Sequence, residues 1–207
     1  MELPVLSTQV EVNASLLNSG APPALTSTFA LSNLPLRRAP QEFLRACMRA
    51  DGPAAWSILA THPDILDNPS DELRHLPVAA TIAGKLESVR LMALLGFELR
   101  WEAAEGGTPL HHAARYGMTQ MVRLLLELGA PVNSRDSNTG SSPLAWAAAG
   151  SRSLRAGAEE EYCIVIRLLL AAGATRETSI NRWKETPEDQ ASRHVKALLK
   201  SLGFAPK

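Results

Sequence analysis

The 207-residue chain has two cysteines, Cys47 and Cys163, and they lie far apart. Each falls among apolar residues at helical spacing. Both are therefore expected to be buried free thiols of a reducing compartment, which excludes a disulfide-stapled scaffold. No run approaches the ~18 to 20 consecutive apolar residues that a membrane-spanning helix needs. Neither sign of charge is in excess: 21 basic side chains balance 21 acidic ones. That balance argues against a general binder of nucleic acid or of a membrane surface. Met1-Glu2-Leu3-Pro4 has no basic segment ahead of an apolar one, so a cleaved secretory signal is not expected.

The groups that catalysis would need are also missing as a set. The histidines are His62, His75, His111, His112 and His194. His111 and His112 are neighbours, but adjacent residues on a helix point about 100° apart and make a poor metal pair. Neither cysteine has a C-x-x-C partner. Gly106-Gly107 does not sit between a strand and a helix, as a phosphate-binding loop would. Glu159-Glu160-Glu161 reads as a solvated helix start. No catalytic residue, metal site or cofactor is expected.

What is present is a hydrophobic fraction of 45% with helical spacing from Pro40 onward. The clearest stretch is Thr108 to Val132. Thr108 can cap a helix and Pro109 suits its first position. Ala113 and Ala114 allow close helix packing, and Gly117 can end the turn in positive φ. Met121, Val122, Leu124, Leu125 and Leu128 then form a second apolar stripe, closed by Gly129. Two such short helices cannot bury that stripe alone, so similar pairs must stack on either side.

Thr108-Pro109-Leu110-His111-His112-Ala113-Ala114, with Gly117, Val122, Leu124-Leu125 and Gly129-Ala130, resembles an ankyrin repeat. The match recurs at the right period. Ala79-Ala80, Gly84, Val89 and Gly96 stand 33 positions before His112-Ala113, Gly117, Val122 and Gly129. Ser142-Pro143-Leu144 opens a fourth repeat and Thr186-Pro187 a fifth. The resemblance implies an all-α ankyrin-repeat solenoid of about five helix-turn-helix repeats with short hairpin tips. Their approximate bounds are 40–70, 71–103, 104–136, 137–180 and 181–207, after a flexible N-terminal tail at 1–39. The spacing predicts helices near 41–50, 53–60, 76–83, 86–95, 109–116, 119–128, 143–149, 160–172, 187–192 and 194–202. Gly173 follows Gly129 by 44 residues, so about ten extra residues fall between the two helices of the fourth repeat, within 150–161. Trp56 and Trp146 are expected in the core.

Ankyrin repeats bind partner proteins through the hairpin tips and the exposed face of the first helices, which together form a concave surface. Carried onto this sequence, that surface offers Arg74, Glu105, Arg115, Tyr116, Arg135, Asn138, Arg182 and Trp183 as partner-binding residues. Arg, Tyr and Trp are the types that dominate interface energetics. His111 stands where family members bond the backbone of an adjoining loop. The resemblance implies a non-catalytic interaction scaffold for a protein partner, monomeric and cytoplasmic, with no nucleic acid and no membrane. Two alternatives stay open. One is a secreted bacterial effector whose repeats bind a host protein, with the Ser/Thr-rich tail as an uncleaved export signal. The other is an immunity or inhibitor protein for a neighbouring toxin.

Overall fold

The computed structural model describes residues 38–104, 106–153 and 159–203. The expected tail lies outside the described residues up to position 37. Eleven helices and no strand occur among the described residues. They are α1 (Arg38–Met48), α2 (Gly52–Thr61), α3 (Asp64–Asp67), α4 (Asp71–Ile82), α5 (Leu86–Leu94), α6 (Pro109–Arg115), α7 (Thr119–Glu127), α8 (Pro143–Ser153), α9 (Glu159–Ala171), α10 (Pro187–Gln190) and α11 (Arg193–Ser201).

The helices stack in two layers. Helices α1, α4, α6, α8 and α10 pack in succession as the first helices of five pairs. Helices α5, α7, α9 and α11 form the second layer behind them. The stripe read from α7 does what its spacing requires: Met121, Val122, Leu124 and Leu125 are buried, and Leu125 is wholly so. Matching buried residues are Val89 and Met92 on α5, Val165, Ile166 and Leu169 on α9, and Val195 and Leu199 on α11. One apolar core thus runs through all the pairs.

Four local expectations change. Helix α4 begins at Asp71 rather than at 76, because Ser70 caps it, accepting the Leu73 N–H at 3.4 Å. Asp71 and Glu72 then favour its positive end. Pro77 sits inside this helix, where it removes one hydrogen bond without ending it. Helix α8 runs to Ser153 rather than to 149, so part of the fourth-repeat insertion is helix rather than loop. Residues 154–158 lie outside the described residues. Trp56 is 55% exposed, because the stripe that faces the core is Ala55, Ile58 and Leu59, and Trp56 lies about 100° away from Ala55 on α2. Trp146 is half-buried and lines the concave side instead of the core.

Gly150 lets the helical start of the insertion lie against α6. A Cβ at this position would lie 2.1 Å from the Arg115 carbonyl oxygen. Only glycine lets α8 pass so close to the end of α6. Tyr162, buried on α9, fills the space beside it and donates its hydroxyl to the same Arg115 carbonyl at 2.9 Å.

Candidate binding groove

The site is built from the tips upward. The tip before α8, residues 136–141, closes when the Asp136 N–H donates to the Ser141 carbonyl at 2.9 Å. The Asp136 carboxylate is buried and accepts from five groups. Oδ1 takes the N–H of Asn138 at 3.0 Å and of Thr139 at 2.6 Å. Oδ2 takes the Thr139 hydroxyl at 2.6 Å, the Ser141 N–H at 2.8 Å and the Trp146 Nε1–H at 3.1 Å. Burial alone would raise the Asp136 pKa, but the hydrogen bonds from Thr139, Ser141 and Trp146 outweigh it and hold it below the ordinary carboxylate value.

The tip before α10 repeats the device with an amide. Asn181 Oδ1 accepts the N–H of Trp183 at 3.0 Å and of Glu185 at 2.9 Å. Lys184 takes φ +63 there, the left-handed conformation that Gly140 (φ +67) and Gly106 (φ +82) adopt in the earlier tips. The tip before α6 has Ala103 at the position of Asn181, and closes by backbone alone: the Ala103 N–H donates to the Gly107 carbonyl at 3.1 Å.

His111 ties one repeat to the next. Its Nδ1 accepts the Thr108 N–H at 3.1 Å, so Nε2 carries the proton and donates to the Ser141 carbonyl at 3.0 Å. Burial pushes the His111 pKa from 6.5 down to about 4, against a smaller upward pull from the Ser141 bond. His112 Nε2 donates to the Gly106 carbonyl at 3.1 Å. Both imidazoles meet the Trp146 ring edge-on, with centroids 5.2 Å away. The pair is thus a packing device around one indole.

Between these tips and the ends of α6 and α8 lies an open groove of about 440 Å³. Trp146, Ala149 and Arg152 line it along one face of α8. Arg115 enters from the last turn of α6, its guanidinium 5.4 Å from the Trp146 ring centroid. Trp183 and Glu185 enter from the last tip, and Gln190 from α10. Asn181 Nδ2 and Gln190 Nε2 donate to Glu185 Oε2 at 2.8 and 3.0 Å, which fixes that carboxylate.

The eight residues singled out from the sequence divide among several places. Arg115 and Trp183 line this one groove. Tyr116 is 38% exposed and follows Arg115 as the C-cap of α6, outside the groove lining. Arg135, Asn138 and Arg182 form struts between tips. Arg135 Nε donates to the Gly140 carbonyl at 2.8 Å and its guanidinium also reaches the Ile180 carbonyl. Arg182 donates through its N–H to the Thr139 carbonyl at 2.9 Å and through its guanidinium to the Asn138 carbonyl at 3.1 Å. Arg74 lies in the first half of α4, 3.7 Å from Asp71 in an exposed pair. Glu105 lies outside the described residues.

The sequence reading missed Asp136, Trp146, Arg152 and Gln190 as concave-side residues. The signal for Asp136 was available: an Asp four positions before Gly140 is a turn-building side chain. Trp146, Ala149 and Arg152 are spaced by three, but that face emerges only once α8 is carried past position 149.

Both cysteines are unpaired thiols. Burial pushes Cys47 up to about 12 and raises Cys163 as well, so neither is an activated nucleophile. Among the described residues no group of three or more His, Cys, Asp or Glu is placed to hold a metal ion, and no helix is long and apolar enough to cross a membrane.

Stacked helix pairs closed by tips of this kind define an ankyrin-repeat solenoid, and residues 76–174 match the family model "Ankyrin repeats (3 copies)". Residues 76–174, just under half of the chain, are thus ankyrin repeats. Over 70 residues, 34% of its length, it is 34% identical to Rabankyrin-5 of Mus musculus, and the match spans 5% of the length of that relative. Repeats of this family are generally protein–protein interaction modules.

Proposed function

We propose that this chain is a non-catalytic scaffold that binds a partner protein through the groove of its third to fifth repeats. The observation that carries the reading is the convergence of Arg115, Trp146 and Trp183 on one open surface, from three different repeats. Trp183 is 65% exposed, and its indole projects from a tip whose backbone is held by Asn181. A large aromatic on a rigid support buries area at little entropic cost on binding. The guanidinium of Arg115 is held against Trp146, so it too is presented rather than free to wander.

Tyr116 and Arg74 extend the proposed surface toward the earlier repeats. Arg135, Asn138 and Arg182 serve it by fixing the tips. The test is affinity capture from lysate of the source cells, using wild type and an Arg115→Ala/Trp183→Ala variant as paired baits. Circular dichroism of both baits is the control for folding. The expected result is a partner retained by wild type and lost with the variant. Retention by a variant that folds normally would move the interface off this groove.

A further inference from the structure

The lining of the groove is chemically polarised. Its tip end carries the exposed indole of Trp183. The guanidinium groups of Arg115 and Arg152 come to the groove from the last turns of α6 and α8. Neither arginine has an ion-pair partner among the described residues. The Arg115 guanidinium lies over the Trp146 ring, and Arg152 Nη1 donates to the Asp189 carbonyl at 3.3 Å. A single lining carboxylate, Glu185, faces them, and its Oε2 is already engaged by Asn181 and Gln190. The Asp136 carboxylate is buried behind Thr139, Ser141 and Trp146 and fully occupied by them. His111 next to it is held neutral. The lining therefore has one positive charge in excess.

Resting on the groove reading above, we infer that its occupant is a peptide segment that places one carboxylate between Arg115 and Arg152 and lays an apolar or aromatic side chain against Trp146 and Trp183. A single carboxylate matches the excess charge. A phosphate, with close to two negative charges at neutral pH, would leave the groove net negative beside Glu185. Arginine suits this task because its planar fork can take both oxygens of a carboxylate. The aromatic contact sets where along the segment the acid must fall.

The probes are synthetic peptides of about ten residues, acetylated and amidated, bound to the full-length ¹⁵N-labelled chain. They carry Glu, Gln, phosphoserine or Lys at one central position and Trp, Leu or Ser two positions later. The readout is the indole N–H signals of the four tryptophans, together with the arginine Nε–H signals. Peptides with Glu followed by Trp or Leu are expected to move Trp146 and Trp183 and to leave Trp56 and Trp101 in place. Replacing Glu by Gln should weaken binding about tenfold, or ~1.4 kcal/mol. Arg152→Glu should reverse the preference and select the Lys peptides, a result that mere loss of fold does not produce. A second set with free C-terminal acids separates a side-chain carboxylate from a chain end, and tighter binding of either still supports the inference.

Several results overturn it. Gln and Glu peptides binding equally at Trp146 and Trp183 would reject the carboxylate while leaving the groove as the interface. A clear preference for phosphoserine would assign the groove to a phosphopeptide instead. Binders that move only Trp56 or Trp101, or no binding by any peptide, would reject the inference and remove its support from the groove reading.

Discussion

The two N-terminal repeats and the three that follow are joined in different ways. Across the first pairs the stack is held almost entirely by apolar packing, as in the stacked rings of Phe43 and Phe97 at 6.0 Å. Among the described residues the polar ties there are few. Lys85 Nζ and the Ser88 hydroxyl both donate to the Met48 carbonyl, at 2.9 and 3.1 Å. From Thr108 onward a buried polar layer is added on the concave side. His111 bonds Ser141, Asp136 gathers its own tip and Trp146, and the Ser142 hydroxyl donates to Ser179 Oγ at 2.8 Å. Apolar packing fixes which helices meet. The polar layer fixes where the tips point, and a surface that must present Arg115 and Trp183 in register needs the second kind of order.

The largest effect tests what the two regions share. Leu125→Ala removes a wholly buried side chain between repeats and should cost about 2 to 5 kcal/mol in urea unfolding. The loss should spread to neighbouring pairs through their interfaces. Thermal unfolding that matched wild type would mean that the second-helix layer is misassigned.

Asp136→Ala probes what only the later repeats possess. It takes the carboxylate from four donors of the tip and from the Trp146 indole N–H, and should cost about 3 kcal/mol. Its N-terminal counterpart, the cap substitution Ser70→Ala, should cost only about 1 kcal/mol. Similar losses in the two variants would erase the proposed difference between the regions.

A pH titration sharpens the same contrast. The His111 pKa is about 4 in the folded chain against 6.5 unfolded. Because the folded value is depressed, its contribution is fully present above pH 6.5 and is lost as pH falls through the window from 6.5 to 4. The loss approaches about 3 kcal/mol at the acid end. Thermal unfolding of wild type should show this dependence, and His111→Gln should flatten it. An unchanged slope in the variant would place the titration on another group.

Gly150→Ala should cost about 1 to 3 kcal/mol, even though alanine is the better helix former. The gain in propensity is outweighed because α8 must retreat from the Arg115 carbonyl. A stabilised variant would show that the close approach of α8 to α6 is not real.

Much of this was legible in the residues and some was not. The repeat frame came from spacing, because glycines at the ends of short helices and stripes between them survive even where the Thr-Pro-Leu-His letters are lost. Helix α4 starts earlier than expected because carrying the Thr108 frame back 33 positions sets its start at 76, while Ser70-Asp71-Glu72 already forms a cap. Trp56 was expected in the core because it falls in line with Ile58 and Leu59, and Trp146 because it stands where the repeat's first helix commonly carries leucine. One is exposed beside a stripe of Ala55, Ile58 and Leu59. The other is drawn to the concave side because its N–H has a carboxylate to bond. Arg115 and Trp183 were singled out by residue type. That they share a groove with Arg152 depended on the extra helical turn of α8, which no spacing argument up to position 149 contained.

Two tryptophans of comparable exposure allow the most direct test: Trp56 in the N-terminal region and Trp183 in the last tip. Each is replaced in turn by a photo-crosslinking phenylalanine analogue, and the chain is irradiated with its native partner present. If the polar-ordered repeats carry the interface, the adduct forms from position 183 and not from position 56. An adduct from position 56 alone would contradict the account, because it would place the partner on the region held by apolar packing.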